Sequence, residues 1–209
     1  MDGMMEIVSK TISDILAELY SSFWYSVVLS VFFMFVYQQY VSIKKAIRQW
    51  LKWFESDSEF RRMFLLVFYS VMIIFRTLLN RNMWLNPLSN VIGFGLTYVD
   101  KDGQRVLNRE AIENFLLFIP FMVLVFWRFR EKLLGTKVKF LKTLWKSVKV
   151  TFIFSFVIEM MQLFLRLGTW QISDLIFNTA GGLIGGSIYF IVYKISCRNQ
   201  KSTKQQIVI

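Results

Sequence analysis

Five polar side chains that could do chemistry occur within two strongly apolar stretches near the C-terminus. Glu159, Gln162 and Arg166 stand at i, i+3 and i+7, so a helix would place them on one face. Asp174 and Asn178 follow one helical turn apart in the next stretch. A carboxylate can act as a general base, and an arginine beside it can hold an anionic headgroup. Glu159 and Asp174 are therefore the candidate catalytic residues.

Two further polar residues, Arg76 and Asn114, lie near the ends of earlier apolar stretches. A charge at mid-membrane costs about 2.5–3.5 kcal/mol on insertion scales, so such residues are functional candidates. We expect the set to line a polar cavity that opens to the outer surface, with Arg76 and Arg166 balancing the two acids. The predicted ligand-binding residues are Arg76, Asn114, Glu159, Gln162, Arg166, Asp174 and Asn178.

Structural interpretations compete with this one at several positions. Asp174 could be only an acid at a helix N-terminus capped by Ser173, and Arg166 could extend to the outer interface. For Glu159 we favour function, because a carboxylate at mid-depth rarely lacks a partner. Two overlapping GxxxG patterns predict close helix packing at Gly181, Gly182, Gly185 and Gly186.

The composition excludes several classes of site. The chain has no histidine and one cysteine, Cys197, which argues against the usual zinc sites, histidine-based triads and intrachain disulfides. We therefore expect no metal site and no organic cofactor. The net charge of +11 does not predict nucleic-acid binding, because the basic residues lie between the apolar stretches rather than along one domain face.

The elements that must position these residues are long and apolar. Hydrophobic residues make up 55% of the 209 residues, which is typical of membrane proteins. Stretches of 17 to 22 residues come near the ~30 Å hydrocarbon thickness when helical. The fold class is thus all-α, a polytopic membrane bundle of about five transmembrane helices with an N-terminal amphipathic helix. The predicted spans are Phe23–Val41, Met63–Leu79, Ala111–Trp127, Val150–Leu167 and Ile172–Tyr193.

The distribution of lysine and arginine predicts the orientation. Residues 44–62, 128–149 and 194–209 hold six, eight and four of them, and with five spans these segments lie on one side. The opposite side holds five. The positive-inside rule then places the N-terminus outside and the C-terminus in the cytoplasm of a multi-pass cell-membrane protein.

Three regions divide the chain. Residues 1–60 are predicted to hold the amphipathic segment, the first span and a basic cytoplasmic loop, residues 61–193 a membrane domain of four spans, and residues 194–209 a basic tail. The first 22 residues could instead be a helical extension of the first span. A turn signal at Asp100–Gly103 predicts a short hairpin. Residues 128–149 are expected to form an interfacial helix on the inner leaflet.

Three motifs in succession resemble those of the VanZ-like membrane proteins. They are ENFLLFIPF (Glu113–Phe121), IEMMQLFLRLG (Ile158–Gly168) and ISDLIFNTAGGLIGG (Ile172–Gly186). The step Asn86–Pro87–Leu88 is similar to an upstream motif of the family, with leucine where phenylalanine is commoner, and the resemblance runs from Arg76 to Tyr193. It brings no catalytic assignment. The matching motif residues are Asn114, Pro120, Glu159, Gln162, Asp174, Asn178, Gly181 and Gly182.

The resemblance implies a role at the cell envelope. The family is named for a protein of low-level teicoplanin resistance, and that lipoglycopeptide acts on wall precursors at the outer face. We therefore expect resistance or immunity through the outward cavity, with a lipid headgroup, a lipid-linked wall precursor or the drug as ligand. The alternatives are an enzyme that modifies a lipid or glycan with Glu159 or Asp174 as base, and a small transporter. The expected partners include membrane lipids, and transport would need a homo-oligomer formed through the glycine stripe.

Overall fold

A computed structural model describes residues 2–38, 43–79, 81, 83, 85–99, 103 and 105–206. In these residues the predicted all-α class is confirmed, with one small hairpin in which Thr97 pairs with Leu107. The hairpin confirms the turn prediction, although residues 100–102 and 104 lie outside the described part. The elements are α1 (Asp2–Gln38), α2 (Ile43–Ser56), α3 (Ser58–Ile74), a π-helical turn (Phe75–Leu79), β1 (Thr97–Val99), β2 (Arg105–Leu107), α4 (Arg109–Leu134), α5 (Phe140–Leu165) and α6 (Ile172–Gln206).

Four helical segments are long and apolar enough to cross a bilayer. They are Ser58–Leu79, Arg109–Leu134, Phe140–Leu165 and Ile172–Asn199, of 22 to 28 residues. At about 1.5 Å per residue, each exceeds the ~30 Å hydrocarbon thickness. The corresponding apolar part of α1, Ser22–Tyr37, is shorter, and the predicted end of the first span at Val41 lies outside the described residues. The fifth span therefore stays a prediction.

The N-terminal region forms one continuous helix, α1, so residues 2–22 extend the first apolar stretch. Polar residues recur every four positions along its first turns, at Glu6, Lys10, Asp14 and Glu18, and of their side chains only that of Lys10 is described, as exposed. The helix packs mainly against α3. Its buried face repeats every four residues through Ser22, Ser26, Ser30 and Met34.

The prediction of an interfacial helix over residues 128–149 is wrong. Gly135 ends α4 with a φ of +77°, a conformation that favours glycine, and α5 begins at Phe140, so the segment is shared by two long helices. The short amphipathic helix near this end of the bundle is α2, whose residues were predicted to lie in a basic loop. Its Trp50 and Phe54 rings contact Phe64 of α3.

The glycine stripe of α6 faces two helices of the same chain. A Cβ on Gly181 would lie 2.0 Å from the Phe115 carbonyl oxygen, and one on Gly185 would lie 2.3 Å from that of Ile119, so α6 approaches the α4 backbone directly. The other two glycines face α5 hydroxyls. A Cβ on Gly182 would lie 2.0 Å from Thr151 Oγ1. A homo-oligomer would therefore need a surface other than this stripe.

The matching face of α5 is a row of small hydroxyl residues. Thr143, Ser147, Thr151 and Ser155 recur every four residues, and each is completely buried. Ser147 donates to the Thr143 carbonyl oxygen at 2.8 Å, which satisfies its hydroxyl inside the helix. We call the contact between this row and α6 the α5–α6 seam. Because the side chains of the seam are short, α5 and α6 lie close together. Larger polar side chains farther along the same two helix faces therefore lie in the interior of the bundle.

Candidate functional site

The candidate site is the continuation of the α5–α6 seam. Four residues after Ser155, α5 presents Glu159 and then Gln162, and four residues before Gly182, α6 presents Asn178 and then Asp174. Asn114 of α4 completes the group. These five residues are only 2–5% exposed. We call them the polar cluster (Asn114, Glu159, Gln162, Asp174, Asn178), and the end of the bundle that contains them the site end.

Gln162 joins α5 to the π-helical turn after α3. Its Nε2 donates to the Thr77 carbonyl oxygen at 2.8 Å, and Thr77 itself is buried. A π-helical turn shifts the backbone hydrogen-bonding pattern and is often found at functional sites. The other amide atom, Gln162 Oε1, is buried and has no hydrogen-bond partner among the described residues.

Glu159 is bound by the connection between α5 and α6. The backbone N–H of Gln171 donates to Glu159 Oε2 at 3.1 Å, so the carboxylate helps to fix the turn that starts α6. Asp174 lies close enough for its charge to act on Glu159. Two acids thus share one buried region, an arrangement that either binds a ligand rich in hydrogen-bond donors or transfers a proton.

The α6 residues of the cluster are held by short polar side chains. Asn178 Nδ2 donates to Ser155 Oγ at 2.8 Å, while Asn178 Oδ1 is buried without a partner among the described residues. The Asp174 carboxylate has the side chains of Asn114 and Ser173 beside it. The capping interpretation of Ser173 and the site interpretation of Asp174 are therefore compatible in this geometry.

In the described part of the chain, Arg76 and Arg166 do not pair with Glu159 and Asp174 as the predicted charge balance requires. Arg76 forms an ion pair with Glu113, and Arg81 forms one with Glu110 at 2.7 Å. Arg166 is exposed at the end of α5, where it ends the helix with a φ of 56°. The structure therefore brings five of the seven predicted ligand-binding residues together, sets Arg76 beside them in its own ion pair, and keeps Arg166 apart.

Sequence reasoning missed the acids that neutralise these arginines. Glu110 and Glu113 precede Asn114 on α4 at spacings that place the three side chains on one helix face. That spacing was the available signal. Arg81, one of the five basic residues predicted on the outer side, lies close enough to Glu159 and Asp174 for its charge to act on both. Within the described part of the chain, no group of three or more His, Cys, Asp or Glu side chains is placed to bind a metal ion.

A loop segment closes the site end over the start of α6. Ile172 N–H donates to the Val91 carbonyl oxygen at 2.9 Å, and Ser173 N–H donates to that of Ile92 at 3.1 Å. Gly93 has a φ of +76°, and a Cβ there would lie 1.9 Å from Ser173 Oγ. We call residues 87–93 the cover segment. The polar cluster itself is only 2–5% exposed in this structure, so the open cavity stays a prediction.

Comparison with known proteins shows which protein family the chain is related to. The sequence model of the VanZ/LLP1 family matches residues 19–193. The chain belongs to this family. It is also similar to Protein VanZ of Enterococcus faecium, with 33% identity over 100 residues, which is 48% of this chain and 55% of that protein. The match thus spans about half the length of this relative. No solved structure matches the chain.

The VanZ/LLP1 match is wider than the motif resemblance. It begins at residue 19 and so takes in the apolar part of α1 and the whole of α2, beyond the predicted range from Arg76 to Tyr193. Of the eight motif residues, seven lie in the polar cluster or on the glycine stripe beside it. The eighth, Pro120, is exposed within α4.

Proposed function

We propose that this VanZ/LLP1 protein lowers the action of an envelope-directed antimicrobial of the glycopeptide or lipoglycopeptide type. In this proposal the polar cluster binds a lipid headgroup, a lipid-linked wall precursor or the drug. The observation that carries the proposal is the burial of two carboxylates and three amides between α4, α5 and α6, where Gln162 Oε1 and Asn178 Oδ1 have no partner in the described part of the chain. A buried acceptor without a partner costs about 1–3 kcal/mol, so it calls for a ligand or water.

The chemistry of the cluster limits what it could bind. Most of the polar atoms that lack partners among the described residues, or that belong to the two acids, are acceptors, and Asn114 Nδ2 is the donor among them, so the fitting ligand presents mainly N–H or O–H donors. Peptide amides, sugar hydroxyls and ammonium headgroups all meet this requirement. An isolated phosphate fits less well, because most of its oxygens are acceptors and its charge has the same sign as that of a carboxylate. The arginines near the cluster are already engaged by Glu113 and Glu110.

Access to the cluster is proposed from the site end. The distribution of lysine and arginine predicts that this end lies outside the cell, where glycopeptides and lipid-linked precursors meet. Movement of the cover segment would break three backbone hydrogen bonds, from Trp170, Ile172 and Ser173, and uncover the start of α6. The route leads to Asp174 first and to Asn178 one turn deeper.

Drug susceptibility tests the proposal directly. The chain is expressed in a teicoplanin-susceptible bacterium that lacks it, and the minimum inhibitory concentration is measured against a vector control. We expect a rise for teicoplanin and a smaller one for a glycopeptide without an acyl chain. Gln162→Met should abolish the rise. Gln49→Met, the same substitution in α2 at the opposite end, should keep it at an equal membrane level. An unchanged susceptibility with wild-type protein contradicts the proposal.

One observation favours an enzyme as the second candidate. The charge of Asp174 acts on Glu159, and Arg81 and Glu110 lie close enough to act on both acids, an arrangement suited to a general base beside a second acid. An enzyme of this kind would modify an envelope lipid or glycan. Mass spectrometry of lipids and wall precursors separates the two functions. New or missing species that disappear with Glu159→Gln support the enzyme, whereas an unchanged profile beside altered susceptibility supports the binder.

A further inference from the structure

A second candidate binding site lies at the opposite end of the bundle, where α3 begins and α4 ends; we call this the basic end. A cavity of about 760 Å³ opens there between α1, α3, α4 and α6. Four of its lining residues are cations, Arg62, Arg128, Arg130 and Lys132, and two are acids, Glu59 and Glu131. The lining therefore carries an excess of positive charge. Nothing in the polar cluster or the cover segment contributes to it.

The cations of this cavity are incompletely neutralised. Arg128 pairs with Glu59 at 3.2 Å, and Arg130 pairs with the adjacent Glu131 at 2.8 Å. Arg62 forms no ion pair with any residue that the structure describes, and its guanidinium carbon lies 5.3 Å from the centre of the Trp127 ring. The Nε atoms of Arg62 and Arg128 are buried without hydrogen-bond partners among the described residues. These two arginines thus lack a hydrogen bond at Nε to the described residues, and that atom is itself buried rather than open to the cavity.

A break in α4 shapes this wall. Arg128 and Arg130 are two residues apart, and in a regular helix their side chains would point about 200° away from each other. Phe129 between them has φ −114° and ψ 25°, outside the helical range. Because the backbone departs from the helix there, both arginines line the same cavity. The arrangement is built by the backbone and does not depend on flexible surface side chains alone.

The cavity also has an apolar side that faces the bilayer. Trp127, Val192 and Tyr37 line it and are 43%, 57% and 55% exposed at the ends of apolar helices. Tryptophan and tyrosine favour the level of the lipid headgroups. A ligand that combines a negative headgroup with acyl chains would fill both parts of the site, whereas a soluble anion would fill only the cationic part.

We propose that this cavity binds the headgroup of an anionic phospholipid from the leaflet at the basic end. Arg62 and Arg128 contact its phosphodiester oxygens, since the planar guanidinium group matches a phosphate with two parallel hydrogen bonds. The acyl chains lie along the exposed faces of α1 and α6. Basic cavities between transmembrane helices are a general way of binding such headgroups. The site is independent of the polar cluster, so either proposal can fail without the other.

Lipid titration of the purified full chain in an uncharged detergent tests the proposal. We expect phosphatidylglycerol to bind, as counted by native mass spectrometry, and phosphatidylcholine to bind at least about tenfold more weakly. Arg62→Gln/Arg128→Gln should weaken phosphatidylglycerol binding by about tenfold or more, the loss expected for charge-assisted hydrogen bonds. Lys137→Gln/Lys149→Gln removes the same charge from exposed positions outside the cavity and should leave binding within about twofold of wild type.

Several results would overturn the proposal. Equal binding of the two lipids, or equal losses in the two double variants, would mean nonspecific attraction to a basic surface. Glycerol phosphate or inorganic phosphate that displaces the lipid would show that the site takes a soluble anion. If Arg62→Gln/Arg128→Gln does not fold, bilayers with brominated phosphatidylglycerol decide the question in the wild-type chain. The part of the tryptophan fluorescence quenching that is due to Trp127 is the part lost in Trp127→Phe. This part must be larger with brominated phosphatidylglycerol than with brominated phosphatidylcholine.

Discussion

The site end and the basic end both gather charged residues, but they surround them differently. At the site end Arg76 and Glu113 keep side-chain exposures of 17% and 10%. At the basic end the acids of the two ion pairs are open, with exposures of 66% for Glu59 and 79% for Glu131. The Arg76–Glu113 pair is thus part of the packed interior, although Arg166 at the same end is exposed. Charge at the basic end remains available to water, lipid or a ligand.

Helix packing causes this difference. Near the site end α6 touches the α4 backbone at Gly181 and Gly185, and the short side chains of the seam pack directly against α6. Toward the basic end the helical geometry of α4 fails at Phe129 and a cavity opens beside it. The same helices therefore provide a buried polar interior at one end and an open cationic cavity at the other. Matched substitutions at the two ends test this contrast.

The largest effect is expected from breaking the buried ion pair. Arg76→Met leaves the Glu113 carboxylate without this cation in a mostly buried position, which should lower the free energy of unfolding by about 3 kcal/mol. The matched change, Arg128→Met, leaves the exposed Glu59 and should cost less than about 1 kcal/mol. Denaturation in neutral bicelles measures both. Equal costs would show that the two ends do not differ in burial as described.

A smaller effect is expected from crowding the contact of α6 with α4. Gly181→Ala places a methyl group where backbone lies 2.0 Å away, and overpacking costs about 1–3 kcal/mol beyond the helix propensity that alanine gains. We expect a net loss of about 2 kcal/mol in the free energy of unfolding. Gly95→Ala is the control, because its nearest neighbouring atom would be 3.8 Å away. A stabilised Gly181→Ala variant would contradict the close approach.

The sequence predicted the glycine contacts but not their partners. The GxxxG spacing shows that one face of α6 can approach a helix closely, and it carries no information on which helix. The hydroxyl row on α5, repeating every four residues from Thr143 to Ser155, was present in the sequence as the complementary signal. Two helices share the stripe because Gly181 and Gly182 point about 100° apart on α6.

The sequence allowed us to predict which residues belong to the polar cluster, but not which charged residues pair beside it. Apolar surroundings make Glu159, Gln162 and Asn178 conspicuous in any reading of the sequence. The partners of the arginines could not be identified from spacing alone, because the pair Arg76–Glu113 joins α4 to the π-helical turn across 37 residues. The cover segment could not be predicted either, because backbone hydrogen bonds between a loop and the start of a helix do not depend on particular residue types in the sequence.

A change at Gln162 should separate function from stability. Gln162→Met loses the hydrogen bond to the Thr77 carbonyl oxygen, about 1 kcal/mol, but it also removes a buried oxygen without a partner, whose burial costs about 1–3 kcal/mol. We expect the free energy of unfolding to change by less than about 1 kcal/mol while the antimicrobial phenotype is lost. Denaturation curves and susceptibility are measured on the same variant. A destabilisation above that range would make the amide structural.

The smallest effect on stability is expected at the basic end, from Glu131→Gln. The pair with Arg130 joins neighbouring, exposed side chains, so its loss should change the free energy of unfolding by less than about 0.5 kcal/mol. Because the substitution frees Arg130 at the cavity wall, phosphatidylglycerol should bind about two- to threefold more tightly at low salt, and the gain should vanish near 1 M salt, where the screening length is about 3 Å. Glu55→Gln removes an equally exposed acid of α2 outside the cavity and should give no such gain. If both variants bind the lipid equally well, net charge rather than the cavity governs the basic end, and its contrast with the site end reduces to exposure alone.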